Sequence, residues 1–232
     1  MKRFILKEYG SWGVMLMSFA AGLVAAGRFN ATVGAALFSL ALFINAKQAL
    51  TVWMRSPAGD RWIPRTVFLG QMVLAIIMMT KVVENNIPQI LPYVGIPLVY
   101  LLCLTLLGEH ALLTEVSGFV LLSLSSLIGR FASSGVIDPR LFLAVAVFFT
   151  AGVFKVRIQF RKELRYRVMM IAYAAGSVVL YITFGLPLLL LVPLIDNVLF
   201  ALILYRTGLS TTGWLEVGKG VVFLVLLSFI YV

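Results

Sequence analysis

The stretch FKVRIQFRKELRYRVMM, residues 154–170, places six cations within thirteen positions, between two long apolar runs. The cations are Lys155, Arg157, Arg161, Lys162, Arg165 and Arg167, and Glu163 is the one acid among them. The whole 232-residue chain is 62% hydrophobic and 12% charged, with a mean hydropathy of +1.04. Soluble domains carry about 25% charged residues. The sequence therefore predicts a polytopic membrane protein, and the net charge of +10 indicates topology and anionic lipid rather than nucleic acid.

Apolar runs long enough to cross a bilayer recur along the chain, since a spanning helix needs about 20 apolar residues. Breaking them at charges, proline and glycine gives nine candidates, near 10–28, 31–54, 66–83, 88–108, 111–131, 139–157, 167–184, 186–206 and 213–232. The boundaries at 109–111 and 185–187 are weak, so eight or ten spans are also compatible with the sequence. We predict an all-α, polytopic membrane helical bundle of about nine transmembrane helices, forming a single transmembrane domain over residues 1–232.

Lysine and arginine are distributed unevenly between the two sides of a nine-span bundle. Thirteen lie at the N-terminus and in or beside the loops after spans two, four, six and eight, against four on the opposite side. Cytoplasmic loops carry the excess of cations in membrane proteins. We therefore predict a cytoplasmic N-terminus and an external C-terminus. The N-terminal segment has the composition of a signal peptide, but the spans that follow favour an uncleaved first transmembrane helix.

Polar side chains inside spans are candidate site residues, because each ionisable group costs roughly 2.5–3.5 kcal/mol to insert. In span two, Asn45, Lys47 and Gln48 lie within one turn, either as the polar floor of a cavity or as an interhelical hydrogen bond beside a snorkelling lysine. Asp196 and Asn197 fall at the middle of span eight. An unpaired carboxylate there would be expensive, so we predict that Asp196 points into the bundle, towards Asn45, Lys47 or a cavity.

Two other groups of polar residues have both structural and functional interpretations. Glu8 and Trp12, at the entry to span one, are expected either to contact a ligand or to provide an ion pair and an interfacial aromatic side chain. Glu216 and Lys219 are three residues apart in span nine, a spacing that predicts an ion pair on one helix face.

The single histidine lies in the segment that holds Glu109, His110 and Glu115, near the boundary of spans four and five. A solvated loop is the simpler interpretation, although a histidine beside carboxylates could also relay protons. The single cysteine, Cys103, excludes an intrachain disulfide. The sequence has no metal-type Cys/His spacing, phosphate-binding glycine loop or serine-hydrolase motif.

The basic stretch has a periodicity of its own if it continues span six as a helix. Arg157, Arg161 and Arg165 then recur every four residues and form one stripe. Like charges stacked in this way repel, so the stripe needs an anionic partner: either lipid headgroups or a phosphate-bearing ligand held by arginine forks. We predict that Arg157 and Arg161 border a cytoplasm-facing anion site. We expect these two arginines to lie close to Asn45, Lys47 and the Arg55–Arg65 loop, enclosing one cavity.

The segment K-E-Y-G-S-W, residues 7–12, resembles the K-E-H-G-A-W signature of the YwiC-like family of bacterial membrane proteins. Four of the six positions match, and Tyr9 and Ser11 replace the usual His and Ala. The arginine-rich segment after span six is similar too. The resemblance implies a class of protein, in the bacterial cytoplasmic (inner) membrane, rather than an activity.

The layout is also similar to that of the UbiA-type prenyltransferase superfamily, in which cytoplasmic loops after spans two and six cap a central cavity. The resemblance implies aspartate-rich motifs that hold Mg²⁺ against an isoprenoid diphosphate. Here Asn45 matches the first motif, but Ala46, Ala49 and Trp53 stand where its aspartates would be. Without carboxylate pairs the metal has no ligands. We therefore predict no metal and no cofactor, and enzymatic activity is uncertain, with absence favoured.

Three functions remain open. The first is a degenerate prenyltransferase-like bundle that binds an isoprenoid, a quinone or another anionic amphiphile in a cytoplasm-facing cavity. The second is a metal-independent prenyltransferase-like enzyme, and the third is a small-solute permease using Asp196 and Lys47. Membrane lipids are the predicted partners, and nucleic acid is not. The predicted ligand-binding residues are Glu8, Trp12, Asn45, Lys47, Gln48, Arg55, Lys155, Arg157, Arg161, Asp196 and Asn197.

Overall fold

A computed structural model describes residues 9–57, 60–83, 86–204 and 208–231, and within these ranges the chain is helical apart from short connections. Seven of the described helices are long and apolar enough to cross a membrane, and two shorter apolar helices accompany them. The predicted all-α polytopic membrane bundle is therefore confirmed. The helices of the described ranges are α1 (Tyr9–Ala26), α2 (Ala31–Arg55), α3 (Trp62–Val83), α4 (Ile87–Leu107), α5 (Leu112–Ser134), α6 (Pro139–Arg161), α7 (Leu164–Thr183), α8 (Leu188–Ile203) and α9 (Leu209–Tyr231).

The turn between α5 and α6 shows how local sequence sets the helix ends. Gly135 follows α5 in the left-handed conformation, with φ of 74°, which glycine adopts without steric cost. Asp138 then caps α6: its carboxylate accepts hydrogen bonds from the backbone N–H groups of Arg140 and Leu141. Pro139 occupies the first turn, where its missing N–H costs nothing.

The basic stretch does not form one helix. α6 ends at Arg161, Lys162 adopts a left-handed conformation with φ of 50°, and Glu163 is extended before α7 begins at Leu164. The chain therefore reverses direction in the middle of the stretch, and α7 packs back against α6. The continuous stripe of arginines predicted for an extended span six is wrong, because the helix stops between the second and the third arginine.

α8 contains a break of its own at mid-span. Residues Leu188–Leu194 form a 3₁₀ helix that includes Pro193, and α-helical geometry follows over Ile195–Ile203. Proline lacks a backbone N–H and clashes with the preceding turn, which interrupts the α-helical hydrogen-bond ladder. The change of helix type places Asp196 in the first turn of the α-helical part, inside the span.

α6 lies at the centre of the bundle. In its most apolar window 72% of residues are buried, against 11–39% for the other long helices. One hydrophobic cluster joins α6 to α7, α8, α9 and one part of α1, and a second joins another part of α1 to α2, α3 and α5. α1 thus connects the two halves of the core.

The contact between α1 and α5 depends on glycine. A Cβ atom built on Gly22 would lie 2.1 Å from the backbone oxygen of Ser126, and one on Gly129 would lie 2.7 Å from the backbone oxygen of Phe19. Real Cβ atoms do not approach backbone so closely, so any larger side chain would force the helices apart. Small residues are the usual means of close helix packing in membranes.

Every second connection between helices lies at one end of the bundle, which we call the basic end, and ion pairs and hydrogen bonds join these connections. It comprises the connections after α2, α4, α6 and α8. Arg55 at the end of α2 pairs with Glu109 in the α4–α5 connection at 2.5 Å. Arg167 in α7 donates to the backbone oxygens of Ala201 and Leu202 near the end of α8, at 2.6 and 2.8 Å. The helices therefore alternate in direction, as a multi-pass bundle requires.

The opposite end is fixed by a second group of polar residues. Arg130 of α5 pairs with Asp138, and the hydroxyl of Tyr231 donates to the same carboxylate oxygen at 3.0 Å. The guanidinium carbon of Arg130 also lies 4.9 Å from the centre of the Tyr231 ring. These contacts hold the ends of α5 and α9 against the start of α6.

Candidate functional site

Lys155 of α6 is the starting point of the site, because its side chain is fully buried within a membrane-spanning helix. Its ammonium nitrogen lies 2.5 Å from Oδ2 of Asp196 in α8 and 3.2 Å from Oε1 of Glu216 in α9. The ring centre of Phe200 lies 5.6 Å away and adds a cation–π contact. Lys155 thus joins three helices by contacts that satisfy its buried charge.

Lys219 of α9 contacts the same two carboxylates. Its ammonium nitrogen lies 2.5 Å from Oε1 of Glu216 and 3.2 Å from Oδ2 of Asp196, and it also donates to the side-chain oxygen of Asn197. The ion pair predicted from the i, i+3 spacing of Glu216 and Lys219 is therefore present. We call Lys155, Asp196, Glu216 and Lys219 the charge quartet: each carboxylate contacts both ammonium groups.

The charge quartet lies well inside the helices rather than at their ends. Lys155 precedes the end of α6 by six residues, Asp196 precedes the end of α8 by seven, and Glu216 follows the start of α9 by seven. At 1.5 Å per residue, each is about 10 Å from the basic end. The hydrocarbon core of a bilayer is about 30 Å thick. The quartet therefore lies at a depth where unpaired charges are costly.

Charge and exposure differ between the members of the quartet. Two ammonium groups and two carboxylates give a formal charge of zero. The side chains of Asp196 and Glu216 are 33% and 31% exposed, whereas those of Lys155 and Lys219 are 0% and 12% exposed. The exposed part of the quartet consequently belongs mainly to the side chains of the two acids rather than to those of the two lysines.

A groove of about 480 Å³ opens beside the quartet, between α8 and α9. Asp196 and Lys219 line it, and Thr211 adds a hydroxyl nearer the basic end. The remaining lining is apolar or lacks a side chain: Val192, Pro193, Trp214, Leu215, Gly218 and Val222. The groove thus combines a long apolar wall with a polar side near its middle.

The structure brings three of the predicted ligand-binding residues together: Lys155, Asp196 and Asn197. Asp196 does not turn towards Asn45 and Lys47, because α8 packs against α6, α7 and α9, whereas α2 packs mainly against α3 and α5. It contacts the two lysines of the quartet instead and lines the groove.

The predicted residues of α1 and α2 lie in the other half of the core. Asn45, Lys47 and Gln48 are half-buried on α2. Trp12 is half-buried on α1 and packs against the second hydrophobic cluster. Glu8 lies outside the described residues.

The predicted anion site is assembled differently from the prediction. Arg157 pairs with Glu115 at 2.8 Å and donates to the backbone oxygen of His110 at 2.7 Å. Arg55 pairs with Glu109 of the same connection, so the α4–α5 connection lies between the two arginines. The segment predicted as a solvated loop therefore supplies partners to cations from two helices.

Sequence reasoning missed both Tyr166 and the lysine-to-carboxylate pairing between helices. Tyr166 is buried, and its hydroxyl accepts hydrogen bonds from Arg161 and Arg165. The sequence does contain one indication of the pairing between helices: the ionisable residues of spans six, eight and nine fall at similar distances from the basic end, and therefore at similar depths in the membrane. Within the described ranges, no group of three or more His, Cys, Asp and Glu side chains is arranged to hold a metal ion.

Comparison with known proteins gives a family match in the N-terminal half of the chain. A family model described as YwiC-like protein matches residues 5–129, more than half of the 232 residues. The chain belongs to the YwiC-like family. No match was found among curated proteins or among solved structures. The matched segment of this YwiC-like protein ends within α5, so the charge quartet lies beyond it, and the similarity of layout to prenyltransferases stays a prediction.

Proposed function

We propose that this YwiC-like membrane protein binds an uncharged amphiphile with a hydroxyl-bearing head and an isoprenoid chain, such as a quinol or an isoprenoid alcohol. The head would contact the charge quartet and the chain would lie along the groove between α8 and α9. The observation that carries the proposal is an apolar groove within a membrane span that is lined by two members of a charge-balanced quartet, Lys219 and Asp196, the latter with a side chain that is one-third exposed.

The hydrogen-bonding capacity of the quartet favours a head that donates. An ammonium group has three donors, and that of Lys219 already contacts Glu216, Asp196 and Asn197. An ionised carboxylate has about four acceptor positions, so a carboxylate that contacts two ammonium groups can still accept a hydrogen bond from a ligand. A hydroxyl that donates to a carboxylate forms a strong, charge-assisted hydrogen bond.

The charge of the quartet argues against the anionic head that the sequence suggested. An anion entering the groove would meet Asp196 and Lys219, whose charges are already balanced within the quartet. Its own charge would then be unpaired at about 10 Å inside the helices, which is costly. An uncharged isoprenoid or quinol head avoids that cost, and its chain can replace lipid against the apolar wall.

The proposed setting is the bacterial cytoplasmic membrane, with the basic end in the cytoplasm. The bias of thirteen cations to four supports this orientation. The groove would then begin near the cytoplasmic surface at Thr211 and reach towards the bilayer centre at Val192 and Val222.

Photoaffinity labelling of the purified full chain tests the proposal. The probe is an isoprenoid alcohol that carries a diazirine on its chain and an alkyne for detection. We expect labelled peptides from α8 and α9, and we expect Gly218→Phe to reduce labelling at least fivefold by filling the groove. Gly176→Phe on α7 is the matched control, because a Cβ atom at either glycine meets nothing within 4 Å. Equal labelling of the parent and Gly218→Phe would contradict the proposal.

A second candidate is a proton-coupled permease, favoured by the contact of each carboxylate with both ammonium groups. Because of these alternative pairings, one carboxylate can take up a proton while the other carboxylate still pairs with the two ammonium groups. Liposomes containing the protein would then lose an imposed pH gradient faster than empty ones, and Asp196→Asn would slow that loss. An unchanged gradient would dismiss this candidate and would leave the binding proposal intact.

A further inference from the structure

Three arginine side chains converge on one buried ring at the basic end. The guanidinium carbons of Arg157, Arg161 and Arg165 lie 5.9, 5.8 and 4.9 Å from the ring centre of Tyr166. Arg161 and Arg165 also donate to its hydroxyl oxygen, at 3.3 and 2.9 Å. Because both donate to one atom, these two guanidinium groups lie close to each other. We call the three arginines and Tyr166 the arginine cluster.

The charge of this cluster is only partly balanced. Arg157 has a carboxylate partner, Glu115, at 2.8 Å. In the part of the chain that the structure describes, neither Arg161 nor Arg165 forms an ion pair with an acid, and the group that they share is a phenol hydroxyl rather than a carboxylate. Two neighbouring guanidinium groups without an acid repel each other. A bound anion would convert that repulsion into attraction, and the planar forks of guanidinium groups suit phosphate oxygens.

The surroundings indicate where the anion would come from. Arg161 and Arg165 are exposed on either side of the turn between α6 and α7. Phe160 and Leu164, next to them in sequence, are exposed large apolar side chains. An exposed apolar side chain beside a cation at the end of a membrane span suits the interface between headgroups and acyl chains.

We propose that Arg157, Arg161 and Arg165 form a binding site for a phosphate group, supplied by the headgroup of an anionic phospholipid, with the buried Tyr166 as the platform that holds the guanidinium groups together. The site differs in chemistry from the groove between α8 and α9. The charge quartet is neutral in sum and accepts hydrogen bonds, whereas the arginine cluster carries excess positive charge and donates them. This inference therefore does not depend on the proposed function.

Native mass spectrometry of the delipidated full chain in detergent tests the site. The protein is titrated with phosphatidylglycerol, with phosphatidylcholine of the same chain length, and with inorganic phosphate as competitor. We expect the parent to retain phosphatidylglycerol more tightly than phosphatidylcholine. Since one charge-assisted hydrogen bond is worth about tenfold in affinity, Arg161→Gln/Arg165→Gln should weaken binding at least tenfold. Arg161→Lys/Arg165→Lys, which keeps the charge and hence membrane insertion, should give an intermediate loss.

The control removes the same number of charges at the same end of the bundle. Arg61 and Arg65 are exposed, and Arg61→Gln/Arg65→Gln should change phosphatidylglycerol binding less than twofold. Competition by millimolar inorganic phosphate would identify free phosphate as a ligand of the same site, and its failure would identify the lipid headgroup. Equal losses in the control and in the Arg161→Gln/Arg165→Gln variant would overturn the proposal, as would unchanged binding in the latter.

Discussion

Replacing Lys155 by methionine should destabilise the fold more than any other single lysine substitution among the described residues. Methionine fits the volume of the lysine stem but removes the ammonium group that joins α6 to α8 and α9. The carboxylates of Asp196 and Glu216 would then share one remaining ammonium group, that of Lys219. The quartet would change from a formal charge of zero to −1 inside a membrane span.

The magnitude follows from the distances. The two carboxylate oxygens that contact Lys155 lie 2.5 and 3.2 Å from its nitrogen, so they are at most about 5.7 Å apart. At an effective dielectric constant of about 20, two like charges at that separation repel by about 3 kcal/mol. Breaking a buried ion pair by removing one partner costs about 3–5 kcal/mol. Because the side chains of both acids are about one-third exposed, we expect a loss at the lower end of that range, about 3 kcal/mol.

The assay is the free energy of unfolding in mixed detergent micelles, supported by the midpoint of thermal unfolding. A loss of about 3 kcal/mol in a protein of this size corresponds to a fall of about 6–12 °C in the midpoint. Lys81→Met on α3 is the control, since Lys81 is exposed, and its effect should stay within about 0.5 kcal/mol.

A double-mutant cycle separates charge balance from lost packing. Glu216→Gln added to Lys155→Met restores a quartet with one ammonium group and one carboxylate, Lys219 and Asp196. The double variant should therefore be less destabilised than the sum of the single variants, by about 1–3 kcal/mol. Additive losses, or a Lys155→Met variant as stable as the parent, would refute the electrostatic account of the quartet.

Two further predictions concern the packing that positions the site. Gly22→Ala should lower the unfolding midpoint by several degrees because its Cβ atom would overlap the backbone of α5, whereas Gly34→Ala, with nothing within 4 Å of its Cβ atom, should leave it unchanged or raise it. Equal effects of the two substitutions would mean that α1 and α5 are not in close contact. Asp138→Ala should cost about 2 kcal/mol, since it removes the cap of α6 and leaves Arg130 without its acid. The exposed Asp60 provides the control, and an Asp60→Ala variant equally unstable in detergent unfolding would contradict the assigned role of Asp138.

The spans were predictable because the bilayer sets a minimum length for any apolar run. The sixth span, for example, was predicted over 139–157 and is observed as Pro139–Arg161. The predicted span already includes Lys155 and Arg157, whose carboxylate partners keep them in the helix, and the observed helix continues for one further turn to Arg161. A hydropathy pattern ends a span at its charges and contains no information on such partners.

Which residues pair with each other in the site was harder to predict from the sequence, since pairing between helices depends on how the helices pack. Asp196 was predicted as a site residue because an unpaired carboxylate at mid-span is energetically costly. Its partners, however, are Lys155, 41 residues before it, and Lys219, 23 residues after it, on two other helices. The turn at Lys162 was also hidden, because a left-handed lysine has no distinctive sequence signal. That turn is what brings Arg165 and Tyr166 back to Arg161.

Mass spectrometry of the lipids that remain bound to the protein after gentle extraction from its native membrane tests the central claim most directly. For the parent chain we predict one uncharged, hydroxyl-bearing isoprenoid or quinol per protein molecule, retained through purification. The groove-filling variant Gly218→Phe should lose this molecule, and Gly176→Phe should keep it. Extraction with phospholipid alone, or equal retention in both variants, would contradict the assignment of the groove between α8 and α9.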